Sequence, residues 1–205
     1  MYERFFKRLI DCVLSVLGLL LLWPVFVAIA IAIKADDHGP VFYKQRRVGV
    51  HKTYFDLYKF RSMKVGTPEV ATHLLEHPKR HTSRVGGFLR TFGLDELPQL
   101  INILTGKMSI VGPRPALWNQ DDLVAERDLY GANDVRPGLT GWAQVNGRDR
   151  LNIQEKAKLD GEYVERMSFG FDVKCFFKTI VSVLRREGLP EESEDMDTQE
   201  NNMEI

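Results

Sequence analysis

Two carboxylates stand side by side in GLDELPQL (93–100): Asp95 and Glu96, with Arg90 shortly before them and Pro98 shortly after. A carboxylate can act as a nucleophile, and carboxylates together with substrate phosphates hold Mg2+. The ordinary structural use of such a pair competes with this, because acids at a helix start cap its free N–H groups and complement its dipole. The neighbouring cations favour chemistry. Lys59 and Arg61 alternate along one side of an aromatic-rich segment, Arg114 lies in IVGPRP, Arg136 in RPG and Arg148 in NGR. The last three sit in turns rich in Gly and Pro, where a rigid backbone presents a guanidinium to a ligand rather than to a core. Several such arginines with an acid pair suggest a site for Mg2+ and a pyrophosphate.

The elements that would position these residues follow from local pattern. VFYKQ (41–45) and TYFDLYKF (53–60) read as two strands of a hairpin around Gly49. Short helices are predicted over 68–77, from Pro68, and over 84–92. DELPQLINIL reads as a helix with Asp95 as its N-cap and Pro98 in its first turn, where a missing N–H costs nothing. A helix is predicted over 116–130, a loop over 136–148, and helices over 153–167 and 171–186. In the last helix Val173, Phe176, Phe177, Ile180, Val181 and Leu184 form an apolar stripe. Core packing is the plainer reading of that stripe. Its phenylalanines, with Lys174, Lys178, Arg185 and Arg186 nearby, also fit a helix lying in a membrane interface.

The front of the chain is apolar. From Cys12 to Ile33 no charged residue occurs, which meets the length of about 20 residues needed to span a bilayer. A secretory signal fits poorly, since the run exceeds the usual apolar region of one. Pro24 sits in mid-run, where it removes a backbone hydrogen bond and crowds the carbonyl of Leu20. The flanks are basic on both sides: Arg4, Lys7 and Arg8 before, Lys34, Lys44, Arg46 and Arg47 after. Both ends then prefer the cytoplasm. A re-entrant helix hairpin satisfies both facts, and on these residues alone it stands level with a spanning helix.

Length and charge bound the rest. The 205 residues suffice for one domain with an appendage. The net charge is zero, but the segment after Arg186 holds eight acids and no Lys or Arg, which leaves 28 bases against 20 acids in residues 1–186. Such a body suits phosphates and anionic headgroups. The basic residues are not gathered in one run or stripe, which argues against nucleic acid. The tail (187–205) reads as solvated and disordered. Cys12 and Cys175 have no metal-ligand spacing and fit a reducing compartment.

YKFRSMK (58–64), LRTFGLDELPQLINILTGKMSIVGPRP (89–115) and RPGLTGWAQVNGR (136–148) together resemble the bacterial sugar transferases of the monotopic polyprenyl-phosphate phosphoglycosyl transferase family. The resemblance runs from residue 1 to about 186 and is to the short members that consist of the catalytic core. It implies an α+β, mostly helical fold: a re-entrant N-terminal membrane helix (1–34) broken at Pro24, then a small membrane-associated catalytic domain (35–186) on the cytoplasmic face of the bacterial inner membrane. That domain would carry a short β-hairpin and amphipathic interface helices among the membrane lipids. The family often has Ser before the proline, where Trp23 stands here.

The implied activity is transfer of a phospho-sugar from a UDP-sugar to undecaprenyl phosphate with release of UMP. Asp95 would be the nucleophile and a Mg2+ ligand, and Glu96 its partner, orienting the acceptor phosphate or managing its proton. Lys59, Arg90, Arg114, Arg136 and Arg148 would contact the phosphates and nucleotide. Short members often use N-acetylated UDP-sugars, though nothing in the residues reads the sugar or the glycan pathway. Two other functions compete: a membrane-tethered scaffold whose acids merely cap a helix, and a lipid glycosyltransferase that releases UDP.

Overall fold

Polar residues fix how the first half of the front helix sits. In the computed structural model, which describes residues 2–67, 81–147 and 150–185, a π-type turn over Tyr2–Phe6 leads into α1, Lys7–Asp36. The helix expected over 68–77, the tail 187–205 and Arg148 lie outside the described residues. Since α1 is apolar nearly all round, hydrophobicity selects no face. Lys7, Asp11 and Ser15, spaced by four, are buried one above another. Lys7 pairs with Asp172, which also accepts from the hydroxyls of Tyr2 and Tyr163. Asp11 accepts from the N–H of Ile110 at 3.0 Å, and Arg8 donates to the carbonyls of Ile103 and Leu104.

The far end of α1 is anchored to the same body. Phe26 meets Phe60 edge-on at 5.2 Å, Ile29 and Ile33 are buried with Phe60 and Leu89, and Asp36 accepts from the N–H of Val85 at 3.0 Å. Between the two anchored ends Leu20, Leu21, Trp23, Pro24 and Val25 are exposed, Leu21 at 75%. The helix continues through Pro24 without a non-helical residue.

Beyond α1, the predicted hairpin is β1, Phe42–Val48, paired antiparallel with β2, Tyr54–Phe60. Next comes α2, Arg84–Thr91, whose start is capped by the Ser83 hydroxyl accepting from Gly86 N–H at 2.9 Å. A 3-10 turn over Leu94–Glu96 precedes α3, Gln99–Leu104. Then follow β3, Ser109–Val111; α4, Asp121–Asp128; β4, Gly138–Thr140; α5, Ile153–Arg166; and α6, Phe169–Leu184. Among the described residues the chain is thus mostly helical with two small sheets, the expected α+β class.

Four expectations change. Asp95 is not an N-cap: Pro98 occupies that place before α3 and no side chain caps the helix. The helix predicted over 116–130 shrinks to α4, because Leu117 bridges to Arg47 of β1 and its N–H is taken by the Gln120 side chain. The loop at 136–148 contains β4, which pairs parallel with β3; a Cβ on Gly112 would come within 2.5 Å of the Arg136 carbonyl, so glycine is what permits this approach. The stripe of α6 is not core. Phe176, Phe177, Ile180 and Val181 are exposed, Phe177 at 61%, while the buried side of that helix is Phe171, Asp172 and Cys175, against Val111, Trp142 and Tyr163.

Candidate active site

The hairpin carries the first cation to the site by simple alternation. Phe55, Leu57 and Lys59 share one face of β2, and the residues opposite them on β1 are Arg47, Gln45 and Tyr43. Phe55 and Leu57 are buried with Ile103 and Met108, which flank the end of α3. That packing brings Lys59, two residues further along the same face, to Glu96 in the turn that precedes α3. Gly93 has φ +66°, a left-handed conformation that costs a glycine little, and it turns the chain out of α2 into Leu94–Glu96.

The two acids have unlike surroundings. Glu96 Oε1 accepts from Lys59 Nζ at 3.0 Å and from Arg114 Nη2 at 2.7 Å, and Arg114 Nη1 lies 3.4 Å from Oε2. Asp95 is only 7% exposed, yet no side chain among the described residues hydrogen-bonds to it. Burial pushes the Asp95 carboxyl above the usual carboxylate range; Glu96 adds to that, while Lys59, Arg90 and Arg114 oppose it. Burial also opposes ionisation of Glu96, but there Arg114 and Lys59 outweigh it and hold the carboxyl far below the usual range. Lys59 is lowered by its own burial. Arg47, buried beside Arg114, is brought down to about 10.

No group of three His, Cys, Asp or Glu side chains able to hold a metal occurs among the described residues. Mg2+ does not need one, since it commonly binds through one or two carboxylates, waters and substrate phosphates. Asp95, whose carboxylate no described side chain occupies, fits that use; Glu96 is already engaged by two cations.

Residues 2–186 match the family described as bacterial sugar transferase. The chain belongs to that family. It is 44% identical over 192 residues to the UDP-glucose:undecaprenyl-phosphate glucose-1-phosphate transferase of Escherichia coli (strain K12), a match covering 87% of this chain and 40% of that one. It is 40% identical over 184 residues to the uncharacterized sugar transferase EpsL of Bacillus subtilis (strain 168), covering 89% of each. A UDP-N-acetylgalactosamine-undecaprenyl-phosphate N-acetylgalactosaminephosphotransferase of Aeromonas hydrophila is 36% identical over 186 residues, or 88% of this chain and 44% of that one. The chain therefore spans less than half the length of the first and third of these relatives.

In this chain the structure brings together Asp95, Glu96, Lys59 and Arg114, with Arg90 near enough to act on the charge of Asp95. Arg136 is exposed and donates to the Gly106 carbonyl at 3.1 Å, just past α3, whose last carbonyls also draw Arg8. Arg61 turns to Asp37 at 3.3 Å and helps tie down the end of α1. Sequence reasoning missed Arg47 as part of the site, counting it only as a basic flank. Its place opposite Phe55 on the face of Lys59 depends on the cross-strand register, so no local signal in the sequence marked it.

Proposed function

We propose that this sugar transferase moves a phospho-sugar from a UDP-sugar to undecaprenyl phosphate through a covalent aspartyl phospho-sugar, releasing UMP. The observation that carries the reading is the asymmetry of the dyad: Glu96 is held by two cations, while Asp95 is buried beside it with no described side chain hydrogen-bonded to its carboxylate. A carboxylate whose pKa is raised is the better nucleophile of the two once ionised. Asp95 attacks the phosphorus that bears the sugar, a new carboxylate–phosphorus bond forms, and the bond from that phosphorus to the oxygen bridging to UMP breaks. A phosphate oxygen of the acceptor then attacks the same phosphorus and restores the Asp95 carboxylate. Lys59, Arg90 and Arg114 stabilise charge on the phosphates, and Arg136 and Arg148 stay among the phosphate and nucleotide contacts that the resemblance implies. Mg2+, held by Asp95 and the substrate, would supply neutralisation of the pyrophosphate charge.

Glu96 orients rather than moves a proton. A carboxyl kept ionised by Arg114 and Lys59 is a poor base near neutral pH, whereas it fixes both cations relative to Asp95. The anchoring of both ends of α1 to one body supports a re-entrant membrane helix: a straight helix of 30 residues is about 45 Å long, and crossing a bilayer would carry one end away from the domain that holds the other. The exposed Leu20–Val25 segment around Pro24 would then be the part deepest in lipid.

Relatives carry glucose and N-acetylgalactosamine in their names, so the sugar is settled by measurement. A panel of UDP-glucose, UDP-galactose and their N-acetyl forms, each with undecaprenyl phosphate and Mg2+, is scored for nucleotide product. One donor is expected to give UMP, and EDTA to abolish its release. UDP as the product would replace this reading with ordinary glycosyl transfer.

A further inference from the structure

The segment that carries Arg114 has proline on both sides, so Pro113 and Pro115 offer no N–H to pin it. It is held by its acceptors instead. Four successive carbonyls each receive a donor from elsewhere: Pro113 from Gly138 N–H at 2.8 Å, Arg114 from Arg127 Nη2 at 2.9 Å, Pro115 from Arg47 Nη1 at 3.0 Å, and Ala116 from Val48 N–H at 2.9 Å. The two middle donors are guanidiniums, and each is itself braced. Arg127, 4% exposed on α4, gives Nε and Nη2 to Asp160 Oδ2 of α5, which is 1% exposed. Arg47 gives Nε and Nη2 to the Gln45 side-chain oxygen.

We propose that Arg127, braced by Asp160, and Arg47, braced by Gln45, are positioning residues: they clamp the Arg114 and Pro115 carbonyls and so aim the Arg114 guanidinium at Glu96 and at the phosphates of the donor. A buried Arg–Asp pair that served stability alone would need only each other. Here one nitrogen of Arg127 is shared between Asp160 and the backbone of a residue in the dyad's own network. A planar fork can serve both; the single nitrogen of a lysine cannot hold the same two acceptors in the same geometry. Displacing a charged group by about an ångström costs up to 100-fold in rate, so the clamp bears on catalysis more than on substrate affinity.

The inference rests on the proposed UMP-releasing reaction, and its test is a double-mutant cycle read by single-turnover UMP release with the best donor of the panel above. Arg127→Lys is expected to slow the step roughly tenfold or more with KM for the donor changed less than about twofold. In an Arg114→Ala background the same change is expected to cost nothing further, since there is no guanidinium left to aim. Arg47→Lys should behave alike. If Arg127→Lys does not fold, Arg127→Met with Asp160→Leu removes both charges together, a replacement that buried pairs often tolerate, and enters the same cycle. An equal loss in both backgrounds overturns the clamp, as does a rise in KM at unchanged rate. A wild-type protein that releases no UMP overturns the reaction instead, so the two failures are told apart by the wild-type control.

Discussion

Replacing Asp95 by Asn removes a charge that its burial opposes, so the substitution should separate function from stability. The folded-state pKa of Asp95 is raised, and ionising it therefore costs stability as pH rises through that value. Asp95→Asn should match wild type in thermal stability near pH 4, equal or exceed it at pH 8, and have no transfer activity. Glu96 has the opposite sign. Its folded-state pKa is lowered, so the stability it contributes is present above the unfolded carboxyl value of about 4.3 and fades as pH falls. Glu96→Gln should lose about 1–3 kcal/mol at pH 7 and less at pH 3, measured by urea unfolding, because it strands Lys59 and Arg114. At this scale the acids and the cations that face them were legible from residue type and turn context. Arg47, Arg127 and Asp160 were not, because their roles depend on cross-strand register and on α4 meeting α5, which no local pattern encodes.

Among the elements, α1 gives the sharpest expectation. Cysteines at Glu3 and His38, in a variant with Cys12 and Cys175 replaced by Ala, should both be shielded from a membrane-impermeant thiol reagent in intact cells and react after lysis. Labelling of either in intact cells contradicts the re-entrant placement. Pro24→Ala should shift the population toward labelling at one end. The hairpin, α2, α5 and α6 were readable because each carries its own period or cap. The pair β3 and β4 was not: each is three residues long, and β4 lies in a stretch whose Gly and Pro content signals a loop. In α6 the period was right, and of the two destinations the pattern allowed, the core was the wrong one. The apolar side of that helix is exposed, because the buried side is set by Asp172 reaching Lys7 and Tyr163.

On the scale of the whole molecule, α1 is not an appendage. Ile29 and Ile33 belong to a buried cluster with Phe60 and Leu89, and Lys7 and Asp11 are bound to α6 and β3. A chain lacking residues 1–34 would expose that cluster and leave Asp172 without its cation. It should fail to unfold cooperatively, whereas a separable catalytic domain would show a normal transition in calorimetry. The sequence marks 1–34 as a segment because apolar runs stand out; the polar ties that join it to the rest span up to 170 residues and become visible only in the fold.

The central claim is that Asp95 is consumed covalently, and the mass of the intact protein tests it most directly. With the active UDP-sugar and Mg2+ but no polyprenyl phosphate, wild type should gain the mass of one phospho-sugar, release at most about one UMP per protein, and lose the added mass when the acceptor is supplied. Asp95→Asn should gain nothing. A wild-type protein that turns over with no adduct under these conditions, or an adduct that persists in Asp95→Asn, would contradict the account.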